Sequence, residues 1–204
     1  MSATRGQSLP TFPRPPVFLS ASVPLIYRDP LYYDSADPIA IRDAVVALAT
    51  AVLPATGIVF GGHPAITPLI SAVANRLSGT VIGRVILFQS GWFVTSVPPH
   101  PMIEGVITPR EATRPDSLRT MRIAMLTSYQ QFTAGVFIGG MEGVRDEFLQ
   151  FRQIQPSAML LPVASTGAAA ALIMDQQPPP PGGWPLELLN DTGYLSLFRR
   201  LLQL

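Results

Sequence analysis

The sequence predicts an α/β fold of the Rossmann-like type, an open and mainly parallel sheet with helices on both faces. Short apolar stretches alternate with stretches of helical periodicity about five times along the 204 residues. Hydrophobic residues make up 48% of the chain and charged residues only 13%, which suits strands that are buried on both faces. The connections from strand to helix are short and rich in glycine and other small residues, which is typical of parallel strand–helix units.

The predicted strands are continuous runs of Val, Ile, Leu and Phe that end in small or polar residues. Right-handed crossovers between parallel strands place all of their carboxyl ends along one edge of the sheet. Five strands are predicted, with a possible sixth at 105–107, and they cover residues 17–22, 57–60, 84–88, 135–138 and 159–163.

The helices are predicted from apolar residues at helical spacing and from capping residues. Asp37 followed by Pro38 is a typical helix start, and the helix that it opens is expected to end near Leu53. Asp116 is expected to cap a later helix that continues to about Gln131. Three further helices are expected to end near residues 77, 154 and 174.

The predicted domain spans residues 17–177, and three segments lie outside it. Residues 1–16 contain four prolines and are expected to form a flexible or extended arm. Residues 178–183, PPPPGG, predict a stiff linker. The segment 184–204 contains a last helix at about 192–202, which is expected to pack on the domain or on a second subunit.

Composition excludes several classes of function. The absence of cysteine excludes disulfides, thiolate metal sites and cysteine nucleophiles, and with only two histidines no transition-metal site and no cofactor is expected. All 14 basic residues are arginine, which excludes lysine Schiff-base chemistry and a P-loop lysine. The net charge of +1 gives no electrostatic reason to expect nucleic-acid binding.

No targeting or membrane segment is expected. The N-terminus lacks the apolar core of a signal peptide. The uncharged stretches in 44–75 and 153–174 are broken by proline and glycine, whereas a spanning helix needs about 20 unbroken apolar residues. We therefore expect a cytoplasmic protein without a membrane partner.

Four strand ends carry small or glycine-rich turns, and ligands of open parallel sheets bind along that edge. Glycine lets backbone N–H groups approach a phosphate, and the following helix N-terminus favours an anion. None of the turns is a dinucleotide-binding fingerprint or a P-loop. Together they predict a ligand of nucleotide or phosphate size, bound by Ser20, Ala21 and Ser22, by Gly61, Gly62 and His63, by Gly139, Gly140, Met141, Glu142 and Gly143, and by Ser165, Thr166 and Gly167.

Several of these positions have a structural alternative. Gly139 and Gly140 either cradle a phosphate or only make a tight turn. Glu142 and Glu147 are each a general base, a contact to ribose hydroxyls or a solvated carboxylate in the first turn of a helix. His63 is a donor to phosphate or a general acid, or it bonds its local turn. The hydroxyls of Ser20, Ser22, Ser165 and Thr166 either bind an anion or cap helices.

Four more candidates lie outside these turns. Gln89 and Ser90 end the third predicted strand, where they either contact a base or ribose or only leave the strand. Arg119 and Arg122 are three residues apart and share a helix face, which either contacts phosphate or is solvated. Trp92 and Phe93 are interpreted as core or interface residues rather than ligand contacts.

Three segments resemble the SLOG superfamily: FLSAS at 18–22, FGGHPAITP at 60–68 and FIGGMEG at 137–143. That group is similar to the LOG phosphoribohydrolases, to DprA and to the ligand-sensing regions of TRPM channels, and the resemblance covers about residues 17–175. It implies a Rossmann-like fold with a nucleotide-type ligand at the sheet edge. Its sensor branches imply a NAD-derived or cyclic nucleotide signal in bacterial defence, and a possible separate effector protein. LOG-like proteins are commonly dimers, which implies a homodimer.

The chain departs from the P-G-G-x-G-T-x-x-E turn of the LOG enzymes. Ile138, Glu142 and Gly143 replace the motif's proline, third glycine and threonine, and Asp146 stands at the glutamate with Glu147 next to it. These departures favour a sensor. The alternative is a LOG-like phosphoribohydrolase that cleaves an N-glycosidic bond. In that enzyme Asp146 or Glu147 would stabilise positive charge on the ribose and Arg122 would hold the phosphate.

Overall fold

Six strands form one sheet in a computed structural model that describes residues 9–93 and 101–204. All neighbouring strands are parallel, which confirms the predicted α/β architecture. The sixth strand, expected at 105–107, is present. The strands are β1 (Val17–Ser22), β2 (Ile58–Gly61), β3 (Val85–Ser90), β4 (Glu104–Thr108), β5 (Ala134–Gly139) and β6 (Met159–Val163).

Helices cover both faces of the sheet and follow most of the strands. Within the described ranges they are α1 (Pro30–Tyr33), α2 (Pro38–Val52), α3 (Thr67–Leu77), α4 (Arg114–Leu126), α5 (Glu142–Ile154), α6 (Ala168–Gln176), α7 (Glu187–Asn190) and α8 (Tyr194–Leu202). The single-turn helices α1 and α7 were not predicted, because four residues are too few to show helical periodicity.

Helix α4 differs from its prediction at both ends. Its N-cap is Thr113 rather than Asp116, and the Thr113 hydroxyl oxygen accepts the N–H of Asp116 at 3.2 Å. The helix ends at Leu126 instead of continuing to Gln131. Beyond it, the hydroxyls of Thr127 and Ser128 donate to carbonyl oxygens of the last turn, a local pattern that competes with helix continuation.

The strand order in the sheet is β4-β3-β2-β1-β5-β6, so the direction of the chain reverses next to β1. From β1 the chain builds β2, β3 and β4 outward on one side. It then returns across the sheet to add β5 and β6 on the other side. In open parallel sheets, ligands bind outside the carboxyl ends of the strands at such a reversal. The register pairs Ser22 with Gly139 at this point.

Alternate residues of β1 point into two separate apolar layers. Leu19 faces the layer that contains α2, α3 and α8, and Phe18 faces the layer that contains α4 and α5. The Phe18 ring stacks on Phe151 of α5, with 5.0 Å between ring centroids. This packing fixes α5, whose N-terminus follows β5 at the chain reversal.

Residues 9–16 lie against the amino ends of the strands, opposite the chain reversal. The Thr56 hydroxyl donates to the carbonyl oxygen of Arg14 at 2.7 Å, and the Tyr129 hydroxyl donates to that of Pro10 at 2.9 Å. The Phe12 ring fills the space beside Gly57, where a Cβ would lie 2.3 Å from it. This part of the predicted arm therefore packs against the domain. The rest of it, residues 1–8, lies outside the described residues.

The C-terminal segment packs on the same chain. Leu197 and Phe198 of α8 are fully buried in the layer that also contains α2. Across residues 9–93 and 101–204, no helix combines the length and apolar character that crossing a bilayer requires.

Candidate functional site

A cavity of about 530 Å³ opens at the carboxyl edge of the sheet, beside the chain reversal. This volume lies within the range of small-molecule binding sites. The ends of three neighbouring strands, β1, β2 and β3, line it, together with α4 and the first turns of α5. The predicted site residues among its lining are Ser20, Ala21, Ser22, Gly61, Gly62, His63, Gln89, Ser90, Arg122, Met141, Glu142, Gly143 and Glu147.

Helix α4 forms one wall through a single face. Four of its residues line the cavity at positions i, i+4, i+7 and i+8, which lie side by side on a helix: Arg114, Leu118, Met121 and Arg122. Arg119 points away from this face, because its exposed guanidinium pairs with Asp116 instead. The structure therefore separates the two arginines that sequence spacing placed together.

A carboxylate, Glu147, is held at the wall between α4 and β1. Its side chain is 13% exposed. The Ser20 hydroxyl donates to Glu147 Oε2 at 2.6 Å, and Arg122 Nε donates to Glu147 Oε1 at 3.3 Å. Arg122 also donates through Nη1 to Asp146, at 3.2 Å from Oδ2. Arg122 is thus engaged by two carboxylates, while Asp146 stays 55% exposed and does not line the cavity.

Burial raises the pKa of Glu147 above its ordinary value of 4.5. The positive charge of Arg122 opposes that increase, as do the hydrogen bonds from Ser20 and Arg122. The low exposure of the carboxylate strengthens every interaction that it makes. A carboxylate held this way can accept hydroxyl hydrogens of a ribose or stabilise positive charge on a sugar.

Two further arginines line the cavity without an acidic partner. Within the part of the chain that the structure describes, neither Arg28 nor Arg114 forms an ion pair. The Arg114 guanidinium lies over the Phe93 ring, 4.9 Å from its centroid. Guanidinium groups bind phosphate through paired N–H donors, so these two side chains are the cations available to an anionic ligand.

His63 lines the cavity as a neutral side chain. The N–H of Ala65 donates to His63 Nδ1 at 3.2 Å, so the imidazole proton is on Nε2. Burial lowers the pKa of His63 below its ordinary value of 6.5. At neutral pH this histidine therefore bonds its local turn and offers one N–H donor rather than a positive charge.

A model of the SLOG cluster3 family matches residues 31–202. The chain belongs to the SLOG cluster3 family. The match spans β2 to β6 and includes α4 and α5, the two helices that wall the cavity. Membership of the SLOG superfamily, predicted from the three sequence segments, is confirmed, and it indicates binding or processing of a nucleotide-related ligand. No curated protein matches the chain.

The glycine turn after β5 serves the SLOG fold rather than the cavity. The N–H of Gly139 donates to the hydroxyl of Thr166 at 2.9 Å, and the N–H of Gly140 donates to the carbonyl oxygen of Ser22 at 2.8 Å. Neither residue lines the cavity. Both amides already have partners within the chain, which favours the alternative of a tight turn at Gly139 and Gly140 over a phosphate cradle. The next residues, Met141, Glu142 and Gly143, do reach the cavity.

The turn after β6 is covered by other parts of the chain and does not meet the cavity. Thr166 is fully buried, and the Ser165 hydroxyl donates to the carbonyl oxygen of Asp191 at 3.2 Å. A Cβ on Gly167 would lie 1.8 Å from the Ser35 carbonyl oxygen. The fourth predicted turn, Ser165, Thr166 and Gly167, is thus a packing site between β6, the start of α2 and the segment before α8.

Ten of the 23 residues that line the cavity were not predicted from the sequence. Arg114 had a usable signal, because it lies eight residues before Arg122 and shares its helix face. Arg28 follows β1 in an irregular loop, where no spacing marks it. The other missed residues are apolar or nearly so, and nothing separates them from core positions in sequence: Leu19, Leu25, Pro64, Phe88, Phe93, Leu118, Met121 and Val144.

The described residues hold no group of three or more His, Cys, Asp and Glu side chains that could bind a metal ion. The polar groups of the cavity are instead guanidinium, carboxylate, amide, hydroxyl and imidazole groups. They suit a ligand that carries both negative charge and hydroxyl or base hydrogen-bonding groups.

Proposed function

We propose that this SLOG protein binds a nucleotide-derived small molecule in the cavity and senses it in a bacterial defence or signalling system. One observation carries the ligand class. The cavity contains Arg28 and Arg114, which have no acidic partner among residues 9–93 and 101–204, and a nearly buried carboxylate, Glu147. A nucleotide supplies both complements, a phosphate for the guanidinium groups and ribose hydroxyls for the carboxylate.

The arrangement of Arg122 supports sensing over catalysis. In the phosphoribohydrolase scheme this arginine holds the phosphate of the substrate. Here its guanidinium is engaged by Glu147 and Asp146, at 3.3 and 3.2 Å. The charge of Arg122 therefore balances the carboxylates of Glu147 and Asp146. Arg28 and Arg114 would then bind the phosphate. Ligand binding would then be passed to a homodimer partner or to a separate effector protein.

A phosphoribohydrolase is the second candidate, because Glu147 has the properties of a sugar-directed carboxylate. It is held by Ser20 and its pKa is raised by burial. In such a reaction water adds to C1′ of the ribose as the C–N bond breaks. The base leaves with the bonding electron pair and takes up a proton, and ribose 5-phosphate is the other product. Glu147 would stabilise the positive charge that develops on the ribose.

Binding and turnover distinguish the two candidates. AMP, NAD, ADP-ribose and cyclic AMP would be titrated by calorimetry, and the same mixtures analysed for free base by mass spectrometry. If sensing is correct, the wild type binds a nucleotide without releasing base. Arg114→Ala should then weaken binding about 10- to 100-fold, since a hydrogen bond to a charged group is worth about 1.5–3 kcal/mol.

Arg119→Ala is the matched control, because Arg119 lies on the same helix but outside the cavity. It should leave the affinity unchanged. Release of free base by the wild type, lost in Glu147→Gln, would establish the enzyme instead. If no nucleotide of the panel binds, both candidates are refuted for these ligands.

A further inference from the structure

Phe93 lines the cavity, and the proposed function gives this aromatic residue no role. It follows β3 at the carboxyl edge of the sheet and is half-buried. The guanidinium carbon of Arg114, Cζ, lies over the Phe93 ring at 4.9 Å from the ring centroid. Arg114 lines the same cavity from the first turn of α4. This contact therefore joins the loop after β3 to the wall that α4 forms.

The Phe93 ring orients the Arg114 guanidinium. A guanidinium within about 6 Å of a ring centroid is attracted to the face of the ring. Within residues 9–93 and 101–204, the Arg114 side chain forms no ion pair and no hydrogen bond that would hold it elsewhere. It is also exposed, and an exposed arginine side chain has many rotamers. The ring thus favours the rotamer in which Arg114 lines the cavity.

Stacking on the ring leaves the hydrogen-bond donors of Arg114 available. Arginine stacks on aromatic rings through the flat face of its guanidinium, whereas its five N–H groups lie in the plane of that group. A guanidinium held by its face can therefore still pair with two oxygens of a phosphate. Phe93 and a phosphate would use different parts of the same side chain.

The backbone that carries the ring is itself held in place. The N–H of Phe93 donates to the carbonyl oxygen of Ser90 at 2.8 Å. Next to it, Trp92 Nε1 donates to the carbonyl oxygen of Glu111 at 3.3 Å, which ties the loop to the segment before α4. A group that is oriented before the ligand arrives lowers the entropy cost of binding.

Resting on the proposed function, we propose that Phe93 is a positioning residue that orients Arg114 for the phosphate of the ligand. Without the ring, a smaller fraction of the molecules has Arg114 in the binding rotamer. The apparent dissociation constant rises by the factor by which that fraction falls. The strength of a cation–π contact at an exposed site corresponds to a factor of about two to five.

A second pair of the same kind supplies a matched control. The Arg110 guanidinium lies over the Trp92 ring, with Cζ at 3.8 Å from the ring centroid. Trp92 and Arg110 belong to the same two segments as Phe93 and Arg114, but neither of them lines the cavity. Trp92→Leu therefore removes a neighbouring cation–π contact without touching the residues that are proposed to bind the ligand.

The test measures the binding of AMP and of adenosine, which lacks the phosphate, by calorimetry, with thermal melting of each variant to verify folding. Phe93→Leu should weaken AMP binding about two- to fivefold and leave adenosine binding unchanged. Phe93→Tyr, which keeps the ring, should bind AMP as the wild type does, and so should Trp92→Leu. In a protein that already carries Arg114→Ala, Phe93→Leu should cause no further loss of AMP affinity.

The outcomes separate this inference from the function on which it rests. Unchanged AMP binding in Phe93→Leu overturns the positioning role while the nucleotide site stands. An equal loss for AMP and adenosine, or a loss that persists beside Arg114→Ala, overturns it in favour of a direct contact between Phe93 and the nucleoside. An equal loss in Trp92→Leu assigns the effect to the loop as a whole and overturns it too. If the wild type does not bind AMP, the proposed function fails for this nucleotide and the inference fails with it.

Discussion

Replacing Gly140 with alanine should destabilise the protein through two separable effects. Gly140 connects β5 to α5 with φ of +89°, a conformation that side chains rarely adopt. A Cβ at this position would also lie 2.2 Å from Val144 Cγ2. Two backbone hydrogen bonds hold Gly140 in this position. Its N–H donates to the carbonyl oxygen of Ser22, and its carbonyl oxygen accepts the N–H of Ala169.

The magnitude follows from adding the two effects. Left-handed backbone costs a non-glycine residue about 1–2 kcal/mol. Forcing a methyl group into a packed region costs about 1–3 kcal/mol more. The free energy of unfolding should therefore fall by about 2–5 kcal/mol. For a chain of this length, that lowers the melting temperature by roughly 4–20 °C, at about 2–4 °C per kcal/mol.

Gly182 provides the matched control. Its φ is +95°, but a Cβ there would meet nothing within 4 Å. Gly182→Ala should therefore lose only the backbone contribution, about 1–2 kcal/mol. Urea denaturation of both variants and the wild type, followed by circular dichroism, measures the difference. If Gly140→Ala costs no more than Gly182→Ala, the clash with Val144 is refuted as a source of destabilisation.

Three further predictions concern pH and capping. Because burial lowers the pKa of His63, the native state favours its neutral form. The free energy of unfolding should therefore decline as pH falls below the ordinary value of 6.5, and His63→Gln should lessen that decline in urea titrations across pH 5–8. Burial raises the pKa of Tyr129 to about 12, so its neutral form contributes stability that is complete below pH 10 and is lost as pH rises toward 12. Ultraviolet titration of Tyr129→Phe should lack one late-ionising tyrosine. Thr113→Ala removes the N-cap of α4 and should cost about 1 kcal/mol in thermal melts, whereas an unchanged melting temperature would contradict the cap.

Sequence predicted the strands well because buried parallel strands leave an unambiguous apolar run. Three of the predicted strand ends do line the cavity, at Ser20, Gly62 and Gln89, since parallel strands bring their carboxyl ends to one edge. The edge at which parallel strands end depends only on strand direction and chain order. Its prediction needs no knowledge of how any helix is rotated, which is why it succeeded for the floor of the cavity.

The walls of the cavity depend on helix rotation and on distant segments, and there the prediction was incomplete. Arg119 and Arg122 share a helix face by spacing, yet the face of α4 toward the cavity begins at Arg114 and leaves Arg119 in solvent. The turn at Ser165 resembles the other turns locally. The Ser165 turn does not line the cavity because residues near Asp191 cover it. This contact joins segments that are far apart in sequence, so no local pattern predicts it.

The position of the acidic residue in α5 shows how helix geometry decides between two adjacent candidates. Consecutive residues of a helix are rotated by about 100°, so Asp146 and Glu147 cannot both face the cavity. Motif alignment favours Asp146, but Glu147 is the residue that lines the cavity, four positions after Gly143, which also lines it. Positions i and i+4 share a helix face, so the carboxylate of Glu147 lies on the same side of α5 as Gly143 and faces the cavity. The side chain of Asp146 lies outside the cavity. The departure from the motif therefore does not remove the acidic group from the site. What differs from the scheme implied by the LOG enzymes is Arg122, whose guanidinium is engaged by both Glu147 and Asp146. The proposal of binding without turnover rests on this pairing.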